Sequence, residues 1–267
     1  MSLLVKQRDR LSKDLIKYLS HYAEPEIQQL KLSVRLSSDA FFVLPIFDED
    51  IPSLSRLLEQ KSSKCFTMIW VFNCPEFKEE ESDYMQGARA RTSEVLKYFI
   101  SEFKSIEVSE GLRYIRTSEY SDLYILDRCE TKVPIKQGVG LARKLGMDLA
   151  IYLNHLQFEK NAHNAQWIHS CDADVELPAN YFDIDPPHEG ESVALYEYEH
   201  RAEEGFGQAM ALYEFSLRYY VQQLSLAGSP YAFQTIGSLI AVTPHAYVQV
   251  RGMPKRSGAE DFYFLNK

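Results

Sequence analysis

Short apolar runs alternate with longer segments of helical periodicity along most of this chain. Apolar runs of roughly four to eight residues between polar breaks are typical of buried strands. They predict six strands, in the segments FFVLPIFDED (41–50), CFTMIWVF (65–72), LYILD (123–127), WIHSCDAD (167–174), SVALYEYE (192–199) and SLIAVT (238–243). Because strands that alternate with helices usually pair in parallel, this pattern predicts a largely parallel sheet with helices on both faces.

Segments of helical periodicity fill the intervals between these strands. One helix is predicted at 52–60, beginning with a proline, and another at 137–153, where it begins with the glycines of QGVGLARKLG. A further helix is predicted to stop at the GSP sequence of residues 228–230. The apolar positions predict two inner helix faces: Val95, Tyr98, Phe99 and Phe103 in one helix, and Met210, Tyr213, Leu217, Tyr220 and Leu224 in the other.

The first 38 residues differ from the rest in containing no strand-like run. Leucine and tyrosine recur at helical spacing through residues 3–31, with a break at a Glu-Pro pair at 24–25. We therefore predict an N-terminal helical extension over 1–38 and one α/β domain over 39–267. The chain stops in the partly apolar segment FYFLNK, so we expect the natural protein to continue past Lys267.

Composition narrows the class of protein. A chain of 267 residues with 45% hydrophobic residues can bury a substantial core. Its 29 Lys and Arg against 38 Asp and Glu give a net charge of -9, which argues against nucleic acid or an anionic membrane as the main partner. The four cysteines form no CxxC pair, and no apolar run approaches the roughly 20 residues of a membrane span. We expect a soluble cytoplasmic protein without a membrane span.

The fourth predicted strand ends in two carboxylates two residues apart. Alternate residues of a strand share a face, so Asp172 and Asp174 are predicted to point the same way and to meet one ligand. Open α/β sheets bind ligands at the carboxyl ends of their strands, and Mg²⁺ or Mn²⁺ is often held by one or two carboxylates plus substrate phosphates. The pair is therefore a candidate metal site. The alternative is that both carboxylates only cap the turn that follows.

Several segments together resemble family 2 glycosyltransferases of the GT-A fold. The resemblance rests on FFVLPIFDED, CFTMIWVFN, KQGVGLARKLG, WIHSCDADVELP and IGSLIAVTPHAYVQVRGMPKRSGAEDFYFLNK, in this order, and covers roughly residues 39–267. It implies a GT-A (Rossmann-like), mostly parallel central sheet. It also implies a hexosyltransferase that uses Mn²⁺ or Mg²⁺ to move a sugar, with inversion, from a UDP-sugar or GDP-sugar to a saccharide or other hydroxyl acceptor.

The resemblance assigns five residues to the donor nucleotide. Pro45, Phe47 and Glu49, at the end of the first strand, would line the nucleotide pocket. Asn73, at the end of the second strand, would reach the base, although many relatives have an acidic residue there. The family's ARN motif corresponds to ARK at 142–144, so Arg143 would supply positive charge to the nucleotide. A solvated arginine on a helix is the alternative interpretation of Arg143.

The DxD motif and the basic segment RGMPKR (251–256) complete the implied donor site. By resemblance, Asp172 would hold the ribose or a metal-bound water, and Asp174 would ligate the cation. Lys255 and Arg256 would contact the diphosphate from a loop that closes over it, unless RGMPKR is only a solvated loop. His245 is a further candidate metal ligand or acceptor contact, although a lone histidine is more often neither.

The acceptor side would depend on GAED (258–261), which matches the family's ED motif about 90 residues after the DxD. Asp261 would be the base that removes the acceptor's proton, with Glu260 beside it. A base on the face opposite the leaving group gives displacement with inversion. Acidic residues are also favoured in the first turn of a helix for electrostatic reasons, so GAED is open to a structural interpretation as well.

Other classes of protein share parts of this pattern. A haloacid dehalogenase-like phosphatase also has a DxD followed by threonine or valine, here DADV, with its first aspartate as nucleophile. That motif normally comes early in the chain, whereas here about 170 residues precede it. A sugar nucleotidyltransferase would need a glycine-rich basic loop in place of FFVLPIFDED. A catalytically inactive nucleotide-sugar-binding module is the remaining alternative.

Overall fold

A computed structural model describes residues 3–33, 35–76, 82–183, 185–202, 204–234 and 238–267, with the backbone alone for 3–10. Its helices are α1 (Leu3–His21), α2 (Pro25–Gln28), α3 (Ile51–Leu58), α4 (Asp83–Glu102), α5 (Gly138–Asn161), α6 (Gly207–Leu226), α7 (Pro244–Gln249) and α8 (Glu260–Leu265). Its strands are β1 (Ala40–Ile46), β2 (Phe66–Phe72), β3 (Ile106–Ser109), β4 (Leu112–Arg116), β5 (Ser121–Asp127), β6 (Trp167–Ser170), β7 (Val193–Leu195) and β8 (Ile240–Val242).

These strands form one mixed sheet of eight strands in the order β3-β4-β5-β2-β1-β6-β8-β7. The four central strands, β5, β2, β1 and β6, are parallel to one another. At one edge β4 and β3 continue the sheet in antiparallel fashion, and at the other β8 pairs antiparallel with β6 and with β7. The predicted α/β class with a largely parallel central sheet is therefore confirmed.

The core lies on both faces of the sheet because side chains alternate along the buried strands. On one face Phe41, Val43, Ile69 and Val71 pack in a cluster with residues of α5 and α1. On the other, the alternate residues of the same strands pack with α3, α4 and the segment that follows β6. Every residue of β1 and β2 is buried, which explains why these strands read as uninterrupted apolar runs.

The N-terminal helix α1 is joined to the sheet's helices by a buried polar network. Asp148, fully buried on α5, accepts hydrogen bonds from the hydroxyls of Tyr18 (2.5 Å) and Tyr247 (2.9 Å). It also accepts from the Lys144 ammonium (3.0 Å) and the backbone N–H of Glu24 (2.8 Å). Leu15 and Tyr18 of α1 belong to the same hydrophobic cluster as the sheet. The predicted extension thus packs on α5 and α7.

Several predicted element boundaries were wrong. The β3–β4 hairpin was not predicted, and the segment 192–199 forms only the short β7. The last strand, β8, is antiparallel to its neighbours, and β6 ends at Ser170, before the two aspartates. The initial helix ends at His21, ten residues before the predicted boundary, and only the short α2 follows. Most of the acidic loop at 79–83 lies outside the described residues.

The predicted inner helix faces were right only in part. Val95 and Phe99 of α4 are buried, whereas Tyr98 and Phe103 are each 39% exposed. In α6, the described structure buries no residue: Met210, Leu217 and Leu224 are half-buried, but Tyr213 and Tyr220 are 51% and 63% exposed. Large apolar side chains lie on opposite sides of α6, so apolar spacing alone did not identify its inner side. Among the described residues, no helix combines the length and apolarity that a bilayer span requires.

Candidate active site

A cleft of about 360 Å³ lies where the parallel strands β1, β2 and β6 end. Because carboxyl ends of parallel strands meet at one edge of a sheet, residues far apart in sequence come together there. Six predicted site residues line this cleft: Pro45, Phe47, Glu49, Asn73, Asp172 and Asp174. Pro75, Val133, Gly138, Val139 and Ala173 complete the lining.

The two aspartates reach the cleft from a turn and not from a strand. After β6 ends at Ser170, the Cys171 N–H still donates to the Val43 carbonyl (3.1 Å), which holds the chain against β1. Cys171 and Ala173 are buried, whereas Asp172 is half-buried and Asp174 exposed. The alternation predicted for a strand therefore continues past its end, and both carboxylates border the same cleft.

The turn after β1 is held in place by an acidic residue that sequence reasoning did not single out. Asp48 has a left-handed backbone, with φ of 62°. Its carboxylate receives two hydrogen bonds from Arg91 of α4, at 2.7 and 2.8 Å, and one from the Tyr84 hydroxyl at 3.0 Å. Its backbone N–H donates to Thr92 at 2.8 Å. These contacts fix the turn that presents Glu49. Sequence alone could not single out Asp48, because nothing in it shows that this non-glycine residue has a positive φ.

Negative charge is concentrated in the cleft. Burial, followed by the charges of Asp174, Asp50 and Asp172, raises the pKa of Glu49 to about 7. Asp50 itself caps α3 by accepting the Ser53 N–H at 2.7 Å. Among the residues that the structure describes, no three His, Cys, Asp or Glu side chains are grouped to hold a metal ion by themselves. Two carboxylates on a cleft are nevertheless the oxygen donors that suit a hard cation completed by substrate phosphates.

Arg143 links the two acidic motifs. It is a buried residue of α5, 3% exposed, and its guanidinium donates to a carboxylate oxygen of Asp172 and to one of Glu260. Glu260 is equally buried, whereas Asp172 keeps 40% of its side chain exposed. Arg143 therefore lies behind Asp172 and not among the residues that line the cleft. Through it the DxD turn and the ED segment are held in one unit.

Two glycines of α5 allow the loop before the ED segment to pack against the start of this helix. A Cβ on Gly140 would lie 2.5 Å from the carbonyl oxygens of Pro254 and Arg256. The Gly140 N–H donates to the Arg256 carbonyl at 3.0 Å. A Cβ on Gly138 would lie 2.7 Å from the Cα of Ser257. The glycines of QGVG thus leave room for the backbone of residues 254–257. This contact brings residues 258–261 towards the cleft.

The ED segment begins the short helix α8. Ala259 precedes it with φ of 56°, so the chain turns sharply into the helix. Glu260 points inward to Arg143, while Asp261 is half-buried in the first turn. The two adjacent acids therefore have different environments: one is held in a buried ion pair, and the other is partly accessible.

The basic and histidine candidates lie outside the cleft lining. Lys255 pairs with Glu24 of the N-terminal segment at 3.1 Å, and the Arg256 guanidinium lies 3.8 Å from the centre of the Tyr263 ring. The ring of His245, on α7, is 2.9 Å from the Gln249 amide nitrogen. None of these three side chains is among the residues that line the cleft with Asp172 and Asp174, and neither is Asp261. Loop packing and helix contacts account for the positions of all three.

The wall formed by Pro75 and Val133 was not predicted. These residues form an isolated parallel bridge just beyond β2 and β5, and both border the cleft. Next to Pro75 in the chain is Cys74, a free cysteine whose sulfur lies 2.9 Å from that of Cys129, which is also free. The wall is apolar, and such a surface suits the flat face of a ring.

No protein-family model matches this chain, and a search of curated proteins returned no match.

Replacing Glu49 by glutamine is expected to change how stability depends on pH. A carboxyl whose pKa is raised from 4.5 to about 7 binds its proton more tightly in the folded state, so stability falls as pH rises through that interval. Above pH 7 the variant should melt about 2–4 °C higher than the parent, the shift that about 1 kcal/mol produces at this size. Below pH 4.5 the two should melt alike.

Thermal melts from pH 4 to pH 9 measure this difference. Glu94→Gln, an exposed residue of α4, is the matched control. A gain of the same size in both variants, or one that does not grow with pH, would show that Glu49 is not held by the acidic surroundings of the cleft.

Proposed function

We propose that this protein is a metal-dependent glycosyltransferase of GT-A type, similar to family 2 enzymes, that transfers a sugar from a nucleoside-diphosphate sugar to a hydroxyl acceptor with inversion. One observation supports this most. Six of the residues that the sequence resemblance assigns to the donor line a single cleft at the carboxyl edge of the parallel strands: Pro45, Phe47, Glu49, Asn73, Asp172 and Asp174. The volume of about 360 Å³ is within the range of small-molecule sites, about 300–1,000 Å³.

The nucleotide end of the donor would lie between the ends of β1 and β2. Pro45, Phe47 and the wall of Pro75 and Val133 offer apolar surface to the base and ribose. Asn73 supplies an amide that both donates and accepts hydrogen bonds. An amide at this place adds no negative charge to a cleft that already contains Glu49, Asp172 and Asp174, whereas the acidic residue that many family 2 glycosyltransferases have there would.

The diphosphate end would lie at Asp172 and Asp174. Asp174, exposed and without an ion pair among the described residues, would be the main ligand of Mn²⁺ or Mg²⁺. Asp172 would assist with the oxygen that does not contact Arg143. When bound, the cation would neutralise charge on the leaving nucleoside diphosphate. Burial, and after it the negative charge of Asp174, Asp50 and Asp172, raises the pKa of Glu49, and the same negative charge favours a cation at this end of the cleft.

Arg143 would orient both halves of the site without touching the donor. Its planar fork matches two carboxylates at once, so it fixes the position of Asp172 and that of Glu260. Glu260 in turn anchors the start of α8, which leaves Asp261 half-buried beside it. Asp261 would accept the acceptor's proton as the hydroxyl oxygen attacks the anomeric carbon.

Lys255 and Arg256 are assigned a structural part in this proposal. The ion pair of Lys255 with Glu24 and the stacking of Arg256 on Tyr263 hold the loop that packs on Gly140. His245 is likewise assigned no ligand. The donor's phosphates would therefore be bound mainly through the cation, so donor binding would require the metal.

A transfer assay tests the proposal. Common UDP-sugars and GDP-sugars, each with Mn²⁺ or Mg²⁺ and a mixture of saccharide acceptors, are screened for release of the nucleoside diphosphate. Asp261→Asn should lower the rate by about 10²–10⁴-fold, the contribution of a general base, while donor affinity stays near that of the parent. Asp83→Asn, on the first turn of α4 and outside the cleft lining, is the control and should transfer normally.

Two results would contradict the proposal. Loss of donor binding in Asp261→Asn would mean that this residue is not the acceptor base. Metal-dependent release of phosphate from small phosphoesters, abolished by Asp172→Asn and without any sugar transfer, would assign the cleft to a phosphatase in place of a transferase.

A further inference from the structure

The helix α6 presents large apolar side chains to solvent along its whole length. Leu212, Phe215, Tyr219 and Leu226 are between 52% and 76% exposed, and they recur, with exposed Gln222, at alternating spacings of three and four residues. This spacing is the a/d repeat by which one helix packs against another. We call these five positions the outer stripe. Tyr213 and Tyr220 are exposed as well but lie on another side of the helix.

The opposite side of α6 carries a second stripe that contacts the rest of the protein. Met210, Glu214, Leu217, Val221 and Leu224 are half-buried and also recur at spacings of four and three. Glu214 fixes this side by accepting hydrogen bonds from the backbone and ring of His200, at 2.9 and 2.5 Å. A helix that is apolar on both sides is typical of one that is covered on both sides. This second stripe, the inner stripe, is partly covered by the chain itself.

We propose that the outer stripe is covered by a second copy of this chain, through antiparallel pairing of two α6 helices. The stripe is self-complementary, because Leu212 and Leu226 are each seven residues from Tyr219. A two-fold axis at Tyr219 would place Leu212 of one copy against Leu226 of the other. Such an isologous contact is the commonest form of association between identical chains.

Charge favours a second copy over an anionic membrane. Glu214 and Arg218 are the only charged residues of α6, and they pair with each other at 3.1 Å. A chain of net charge -9 meets least repulsion from its own copy at such a neutral surface. Helices that lie on membranes instead carry several Lys or Arg on their polar side, and α6 has one, already paired.

The exposed area suits a dimer. The two aromatic side chains on the outer stripe, Phe215 and Tyr219, are each more than half exposed. At about 150–250 Å² for each aromatic, these two present on the order of 200 Å² of apolar surface. Leu212 and Leu226 add to this, and together they form the apolar centre of an interface, whose polar rim supplies the rest of the roughly 800 Å² that a stable interface buries on each copy.

Sedimentation equilibrium over the micromolar range tests this inference. The parent chain should be a dimer, and Tyr219→Glu should raise the dimer dissociation constant at least about 30-fold, as expected for loss of a central aromatic. Tyr120→Glu, which alters an exposed tyrosine at the turn between β4 and β5, should leave the dimer unchanged. Because Tyr219 is exposed in the single chain, its replacement should leave the melting temperature of the monomer unaltered.

A cross-link provides a second measurement that does not depend on weakening the dimer. A cysteine in Tyr219→Cys would face its own copy at the two-fold axis, so diamide should give a covalent dimer, which Tyr120→Cys should not. A parent chain that stays monomeric, or a dimer that survives Tyr219→Glu and gives no cross-link at this position, would overturn the inference. So would a monomer that binds anionic phospholipid vesicles and loses that binding in Tyr219→Glu.

Discussion

Replacing Arg143 by alanine should lower the free energy of unfolding by about 3–5 kcal/mol, because it leaves the buried Glu260 carboxylate without its partner. At this size each kcal/mol corresponds to about 2–4 °C in melting temperature. The same change should abolish binding of the nucleotide-sugar donor, since Asp172 and the start of α8 lose the contact that orients both. Chemical denaturation measures the first effect, and calorimetric titration with the donor measures the second.

Arg143→Lys separates charge from geometry. A lysine keeps the positive charge but cannot donate to two carboxylates through a planar fork, so it should recover part of the stability and little of the donor affinity. Arg256→Ala is the control, since it removes an arginine that stacks on Tyr263 and lies outside the cleft lining. Full donor affinity in Arg143→Ala would show that the ion pairs of α5 are unrelated to the site.

Asp148→Ala should cost a similar amount, about 3–5 kcal/mol, for a different reason. It leaves the Lys144 ammonium buried without its carboxylate, and it removes the acceptor of Tyr18, Tyr247 and the Glu24 N–H. Since these groups join α1 and α7 to α5, we expect the N-terminal helix to detach first. Limited proteolysis should then cleave the variant near residues 22–33 under conditions in which the parent resists.

Tyr18→Phe is the matched control for this network. It removes one hydrogen bond to Asp148 and one from the Lys144 ammonium and keeps the ring, so the expected loss is about 1–3 kcal/mol. Folded Asp148→Ala should bind the donor with the affinity of the parent, because the contacts of Asp148 lie on the side of α5 that faces α1 and α7. An Asp148→Ala protein as stable as Tyr18→Phe would contradict the view that this network attaches the N-terminal helix.

The central sheet could be predicted because its strands are buried on both faces and therefore read as continuous apolar runs. This holds for β1 and β2, in which every residue is buried. The β3–β4 hairpin escaped prediction because IEVS and LRYIR mix polar with apolar residues and lie at the edge of the sheet. The direction of β8 depends on where a long connection returns to the sheet, and local sequence does not encode this.

The lining of the candidate site followed from one general property, that parallel strands end at the same edge. Pro45, Asn73 and Asp172 could be brought together on that basis alone. The contacts of Arg143 with Asp172 and Glu260 could not be predicted, because they depend on the rotation of α5 about its axis. Likewise the positions of Lys255 and Arg256 depend on the contact of their loop with Gly140, which arises only in the folded chain.

The most direct test of the account is a calorimetric titration of the protein with UDP and GDP, in Mn²⁺ and again in a chelator. We predict that one of them binds in Mn²⁺, that the chelator abolishes this binding, and that Asp174→Asn abolishes it as well. Binding of equal strength with and without the metal, or no binding of either nucleotide, would contradict a metal-dependent nucleotide-sugar site in this cleft.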